Sequence, residues 1–183
     1  MRKYFICILL PAILLMISSC ALTVKPASTK SAKAYYESFF VGENGTQYFI
    51  KPIELDSEID DAKMLIDFTF RYKNEIKDSS VINFSIIGTN IIRSVDNIVF
   101  TNIVSLNDIS LLFNEKKGDK FISRFSVKCS TKEMIDIFNH SDMKINVTTN
   151  NTITLFLSHK KTQKIIRSLN DNLFVLFRTD FGD

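Results

Sequence analysis

Apolar and polar residues alternate most regularly between Met64 and Tyr72. A side-chain period of two is typical of a β-strand with one buried and one solvated face. The same alternation predicts a second strand over Val81–Ile87, and the short segment Asn74–Ser80 between the two predicts an antiparallel pair. The residues expected to point inward from the first strand are Met64, Ile66, Phe68, Phe70 and Tyr72.

Shorter runs rich in aromatic and β-branched residues predict further strands along most of the chain. The turn residues Gly42–Gly45 and Thr149–Asn151 each separate two such runs, which predicts two hairpins. The runs are Tyr35–Val41, Gln47–Ile53, Ile91–Ser94, Asn97–Asn102, Leu111–Phe113, Phe121–Lys128, Lys144–Thr148 and Thr152–Leu157.

Two helices are predicted in the last third of the chain. Ser130 and Glu133 have the spacing of a capping box, so a short helix should follow Ser130 and end near Asn139. A second, amphipathic helix is indicated by apolar residues at helical spacing, although Asn170–Asn172 should weaken its middle. Its apolar residues are Ile165, Ile166, Leu169, Leu173, Leu176 and Phe177.

Many short strands followed by late helices predict a mainly β fold. We expect an antiparallel β-sandwich or a curved sheet, with one or two packed helices in the C-terminal third. The sequence shows no internal repeat.

The N-terminus differs in character from the rest of the chain. Arg2 and Lys3 precede an apolar stretch that is too short to span a bilayer comfortably and is typical of a secretory signal. The stretch ends in Ile17-Ser18-Ser19-Cys20, which resembles the lipobox of bacterial lipoproteins. The resemblance implies cleavage before Cys20 and lipidation of its side chain. We therefore expect a signal peptide at residues 1–19, a flexible tether at residues 20–33 and a single β-rich domain at residues 34–183.

Lipid on Cys20 implies attachment to a membrane of the cell envelope. Ala21 follows it, and in well-studied Gram-negative lipoproteins a residue other than Asp at this position resembles the outer-membrane pattern. We expect the outer membrane, with the domain facing the periplasm. Arg2 and Lys3 are the only charged residues before Cys20, so the remainder is nearly neutral, which argues against a nucleic-acid partner.

Few residues suggest catalytic chemistry. Cys129 continues the alternation of Phe125 and Val127 and is expected to point into the core. The alternative is a thiol nucleophile at Cys129 with His140 as its base. The sequence contains no nucleophile elbow, phosphate loop or dinucleotide motif, and we expect no catalytic residue, metal or cofactor.

Two groups of charged residues are candidate contact sites. The acidic group is predicted to form a solvated loop between strands, with calcium binding as the alternative. The basic group shares a helix face opposite the apolar stripe, which predicts a solvated face or a contact with acidic lipid or an acidic partner. The acidic group is Glu54, Asp56, Glu58, Asp60 and Asp61, and the basic group is Lys160, Lys164 and Arg167.

These observations favour a non-catalytic binding or accessory domain held at a membrane by lipid on Cys20. Its partner would be another envelope protein or a cell-wall polymer, contacted through an exposed sheet edge or a loop. The candidate loops are Val41–Gln47 and Glu54–Asp61. The alternatives are an envelope hydrolase and an inhibitor or immunity lipoprotein.

Overall fold

The computed structural model describes residues 34–73, 79–101 and 103–178. Strands make up 54% of these residues, and all of them join one antiparallel sheet that curls into a half-barrel. The fold is therefore mainly β, and the curved sheet, rather than the sandwich, is the observed alternative. The expected signal peptide and tether, with Cys20, lie outside the described residues.

The sheet contains strands β1 to β10. They are Tyr36–Phe40, Thr46–Ser57, Lys63–Tyr72, Ser79–Gly88, Asn97–Phe100, Val104–Leu106, Ser110–Lys117, Lys120–Ser130, Lys144–Thr149 and Thr152–Leu157. From one edge to the other the order is β6-β5-β9-β10-β2-β3-β4-β8-β7, and β1 pairs with β2 outside this order. β2 is long enough to take β1 beside its first half and β10 beside its end, at Asp56 and Ser57.

The centre of the sheet has the predicted alternation. On β3, Met64, Ile66 and Phe68 are fully buried and Phe70 is 2% exposed, and β4 pairs with β3 in the antiparallel sense. Arg124 and Asp67 lie on the opposite face of the sheet, where the Arg124 Nη2 atom is 2.7 Å from Asp67 Oδ2. The inner face thus forms the core, and the outer face carries polar side chains.

Two helices cover the inner face of the sheet. Helix α1 (Thr131–Phe138) begins at the predicted capping box, in which the Glu133 amide donates to Ser130 Oγ at 3.1 Å. Helix α2 (Lys160–Leu169) does not end at Asn170; it continues as a π-helical turn, Asn170–Phe174, and a final turn α3, Val175–Arg178. No helix in the described ranges is both long and apolar enough to cross a membrane.

Aromatic rings join the helices to the sheet. The Phe68 and Phe138 ring centroids are 4.8 Å apart, and Phe138 stacks on Phe174 at 4.5 Å. The π-helical turn adds one residue to the helical repeat, so that Phe174 and Phe177 both reach the core together with Leu173. The polar Asn170–Asn172 segment is accommodated on the helix surface.

Two other sequence predictions differ from the structure. Ile91–Ser94 is not a strand: the segment is irregular, and its Ile92 amide donates to the buried Ser123 Oγ at 3.0 Å. The short strand Val104–Leu106 is missing from the prediction, because three residues are too few to show a period.

Both predicted hairpins are present. In the β9–β10 turn, Asn150 and Asn151 have φ of 48° and 64°, the left-handed conformation that a two-residue turn of type I′ requires. Asparagine tolerates this conformation better than other non-glycine residues. The β1–β2 turn instead passes through a short 3-10 helix, Gly42–Asn44, and ends at Gly45 with φ of 83°.

Candidate functional site

Glu54 and Asp56 lie on strand β2 and not in the predicted loop. The strand continues because Ile53 and Leu55 alternate into the core, which leaves Glu54 on the other face. Lys63, at the start of β3, lies beside both acids. Its Nζ donates to Glu54 Oε1 at 2.7 Å and lies 3.8 Å from Asp56 Oδ1.

The hydrogen bond from Lys63 is the main reason that the pKa of the Glu54 carboxyl is lowered. Partial burial opposes this shift, and the charges of Lys63 and Lys161 add to it. The same hydrogen bond raises the pKa of the Lys63 ammonium. Glu54 is thus a partnered carboxylate at neutral pH, which does not suit it to act as a general acid.

Glu58, Asp60 and Asp61 lie in the tight turn between β2 and β3. Asp60 Oδ1 accepts a hydrogen bond from the Ala62 amide at 3.0 Å, and the Glu58 amide donates to a carbonyl of β10 at 3.0 Å. A shallow recess of about 290 Å³ beside the turn is lined by Asp56, Asp60, Asp61, Ala62, Lys63 and Lys120. Among the residues that the structure describes, no three His, Cys, Asp or Glu side chains are placed to hold a metal ion.

Helix α2 is fixed at its N-terminus by two polar contacts. The Thr162 hydroxyl, 1% exposed, donates to the Glu54 carbonyl at 2.6 Å. His159 caps the helix, since its Nδ1 accepts a hydrogen bond from the Thr162 amide at 3.2 Å. These contacts hold the helix across the inner face of β2, and the predicted basic residues point outward. Lys160, Lys161, Lys164 and Arg167 are all exposed.

Cys129 is buried, as the alternation predicts. Its side chain is 5% exposed, and burial raises the pKa of the thiol to about 12, with a smaller contribution from the Glu133 carboxylate. His140, by contrast, is exposed after the end of α1. A thiol in this state is neither ionised nor accessible at neutral pH, which removes support from the Cys129–His140 hydrolase alternative.

Strand β7 is the feature that the sequence does not identify as a candidate site. All eight of its residues are exposed, including Leu111 at 41%, Leu112 at 52% and Phe113 at 44%. Within the described residues it pairs with β8 alone, so its other edge is open. The sequence carries a weak signal of this exposure. Apolar and polar residues do not alternate over Ser110–Lys117, which indicates a strand with no buried face.

Comparison of the chain with protein-family models, with curated proteins and with solved structures finds no match.

Proposed function

We propose that this protein is a lipid-anchored binding protein of the bacterial cell envelope that captures an extended segment of another envelope protein along strand β7. Lipid on Cys20 would hold it at the outer membrane, facing the periplasm. The single observation that carries the binding role is the open, apolar edge of β7.

An edge strand presents unpaired backbone N–H and C=O groups in a row, and proteins usually protect such edges with charges, proline, a β-bulge or a covering segment. β7 has a shift in its register with β8 between Leu111 and Phe113, yet it keeps Leu111, Leu112 and Phe113 exposed along its first half. Its charged residues, Glu115 to Lys117, lie towards the turn with β8. An incoming strand could therefore pair with the backbone and place alternate apolar side chains against Leu111–Phe113.

The acidic group supports a binding role less well. Glu54 and Asp56 are already paired with Lys63, and Asp60 holds the Ala62 amide. A partner that used these carboxylates would have to replace contacts that exist within the domain. Among the residues that the structure describes, no strand pairs with the outer edge of β7, so a partner there would displace no described contact.

Site-specific photo-cross-linking in intact cells tests the strand-addition proposal. A photoreactive residue in place of Leu112 should capture one dominant envelope protein. The matched control replaces Ile103, which is also 52% exposed and lies beside the opposite edge strand β6. Capture by both positions, or by neither, would contradict a partner at β7.

A second variant separates strand pairing from general stickiness. Leu112→Lys places a charge on the open edge and should abolish capture by a photoreactive residue at Phe113, while Ile103→Lys should not. Exclusive recovery of cell-wall fragments would instead favour the polymer-binding alternative and count against the proposal.

The anchor has its own test. Cys20→Ala should give a chain without lipid that leaves the membrane fraction in a high-salt wash once the signal peptide is removed, because salt screens any remaining charge attraction to the bilayer. Retention of the processed variant in salt-washed membranes would show that lipid on Cys20 is not the anchor.

A further inference from the structure

We propose that the outer face of the helical segment 160–178 docks onto the surface of an anionic lipid bilayer. We call this surface the basic face; it consists of Lys160, Lys161, Lys164 and Arg167, followed by Val175 and Leu176. The proposal goes beyond strand addition at β7 and rests on the proposed lipid anchor for its setting.

The four cations of the basic face are free to meet an external anion. Each is exposed, and none of them forms an ion pair within the described part of the chain. Asp171 is the single acidic residue of segment 160–178, and the Glu54 carboxylate on β2 also interacts with the charge of Lys161. A Lys or Arg held near an anionic membrane surface strengthens binding by roughly fivefold, so four of them give a substantial attraction.

The basic face also ends in exposed apolar side chains. Val175 is 47% exposed and Leu176 is 60% exposed, whereas their neighbour Phe177 is buried. Cations followed by aliphatic side chains on one helical face are typical of helices that lie in the membrane interface.

The proposed anchor enters the domain at the same end as Val175 and Leu176. The Tyr48 ring is 6.2 Å from the ring of Tyr36, at the start of β1, and 5.5 Å from the ring of Phe177. Phe40, 79% exposed, is at the other end of the same strand, where its partner Thr46 pairs with Tyr72, whose ring lies 4.5 Å from Phe177. Val175 and Leu176, next to Phe177, therefore lie near β1, the first described strand after Cys20.

The length of chain between Cys20 and the domain keeps this end near the bilayer. Residues 20–33 span at most about 50 Å even when fully extended. A surface tethered at that range meets the bilayer at a high effective concentration, so a weak attraction is enough to hold it. This favours lipid over an acidic protein as the occupant of the basic face.

Vesicle co-sedimentation tests the charge contribution without relying on lipidation. The chain from residue 20, with Cys20→Ser, is mixed with phosphatidylcholine vesicles that contain none or on the order of 30% phosphatidylglycerol. We expect binding to the anionic vesicles only. Lys160→Glu/Lys164→Glu/Arg167→Glu should weaken it by at least about tenfold.

The matched control reverses three other exposed lysines outside β7, Lys128→Glu/Lys132→Glu/Lys144→Glu, and changes the net charge equally. It should bind within about twofold of the unaltered chain. Equal losses in both triple variants, equal binding to neutral vesicles, or no binding at all would overturn the proposal. Because the protein carries no lipid here, failure of Cys20 lipidation in cells leaves this result intact.

Tryptophan fluorescence tests the apolar contact. The chain contains no Trp, so Leu176→Trp introduces a single reporter on the basic face. Its emission should shift to the blue and be quenched by brominated lipid in anionic vesicles. Ile153→Trp, at a position of matching exposure (61%) on strand β10, should do neither. Equal response at both positions, or basic-face-dependent binding of an acidic envelope protein without vesicle binding, would overturn membrane docking.

Discussion

Gly45 lies where the β1–β2 turn passes closest to the end of β3. Its φ is 83°, and a Cβ atom there would collide with the Tyr72 carbonyl oxygen and crowd Lys73. Gly42 has a φ of 65° as well, but a Cβ atom there would meet nothing within 4 Å. The positive φ disfavours any residue other than glycine at both positions. At Gly45 there is also no space for a Cβ atom.

This difference gives a paired prediction for stability. Gly42→Ala should lower the free energy of unfolding by about 1 kcal/mol, the cost of a left-handed alanine. Gly45→Ala should lower it by about 3 kcal/mol, because the backbone must also shift. Urea unfolding of both variants measures the difference. Equal losses of unfolding free energy would show that the backbone at Tyr72 moves to make room for the Cβ atom at little cost.

Burial of Cys129 predicts that its thiol is unreactive in the folded protein and makes stability depend on pH. In the chain from residue 20 with Cys20→Ser, the thiol should react with a disulfide reagent at pH 8 only after unfolding. Because the folded pKa of about 12 exceeds the unfolded value, the unfolded chain loses its proton first as the pH rises. Stability should therefore fall between about pH 9 and pH 12 more steeply than in Cys129→Ala. Rapid labelling of the folded protein would contradict the buried position.

At the residue level, the sequence predicts which side chains face the core and not which polar groups meet. Alternation places Phe68 and Cys129 correctly, because a strand periodicity is a local property. The contact of Lys63 with Glu54 depends on the register between β2 and β3, which the pattern of neither strand contains. The same holds for the Thr162 hydroxyl and the Glu54 carbonyl, which are far apart in sequence.

Helix α2 begins at an unusual cap, the imidazole of His159. His159→Ala should lower the free energy of unfolding by about 1 kcal/mol, because the Thr162 amide loses its acceptor. His159→Ser keeps a side-chain acceptor at the same position and should be close to neutral. Thermal or urea unfolding compares the two, and equal losses would mean that packing of the imidazole, not capping, matters.

Elements with a clear local signature are predicted well. The capping box of α1 and the Asn150–Asn151 turn are both encoded within four residues. The spacing of Leu173 and Phe177 also predicts that the helix continues past Asn170. It does not predict the π-helical turn Asn170–Phe174, which buries Phe174 and leaves Leu176, expected in the apolar stripe, 60% exposed. Strand β7 is predicted only in part, since its exposure on both faces removes the alternation.

The core of the whole molecule is centred on β3. Phe68 is fully buried, and its ring centroid lies 4.8 Å from that of Phe138. Phe68→Ala should therefore lower the free energy of unfolding by about 3–5 kcal/mol. Phe39→Ala is the control, because Phe39 is 52% exposed and its ring packs edge-on against Phe49 at the surface; this substitution should cost about 1 kcal/mol or less. Urea unfolding measures both, and a small effect at Phe68 would place β3 outside the core.

For the whole molecule, the sequence predicts the mainly β class and the late helices, but it leaves sandwich and curved sheet open. The choice between them depends on β10 reaching β2, a pairing between distant parts of the chain. The basic group is exposed as predicted, and Glu58, Asp60 and Asp61 lie in a turn, but Glu54 and Asp56 lie on β2. The open edge of β7 becomes visible only when the strand order is known.

The junction between β2 and β10 has a mechanical consequence. Between the strands that the structure describes, two register pairs, Asp56 with Leu157 and Ser57 with Phe156, join the part β6-β5-β9-β10 to the rest of the sheet. A pull between an anchor that enters at β1 and a partner held on β7 would be transmitted through β1, β2, β3, β4, β8 and β7, which are continuously paired. The load path bypasses the narrow junction, so the sheet could bear tension between membrane and partner without separating there.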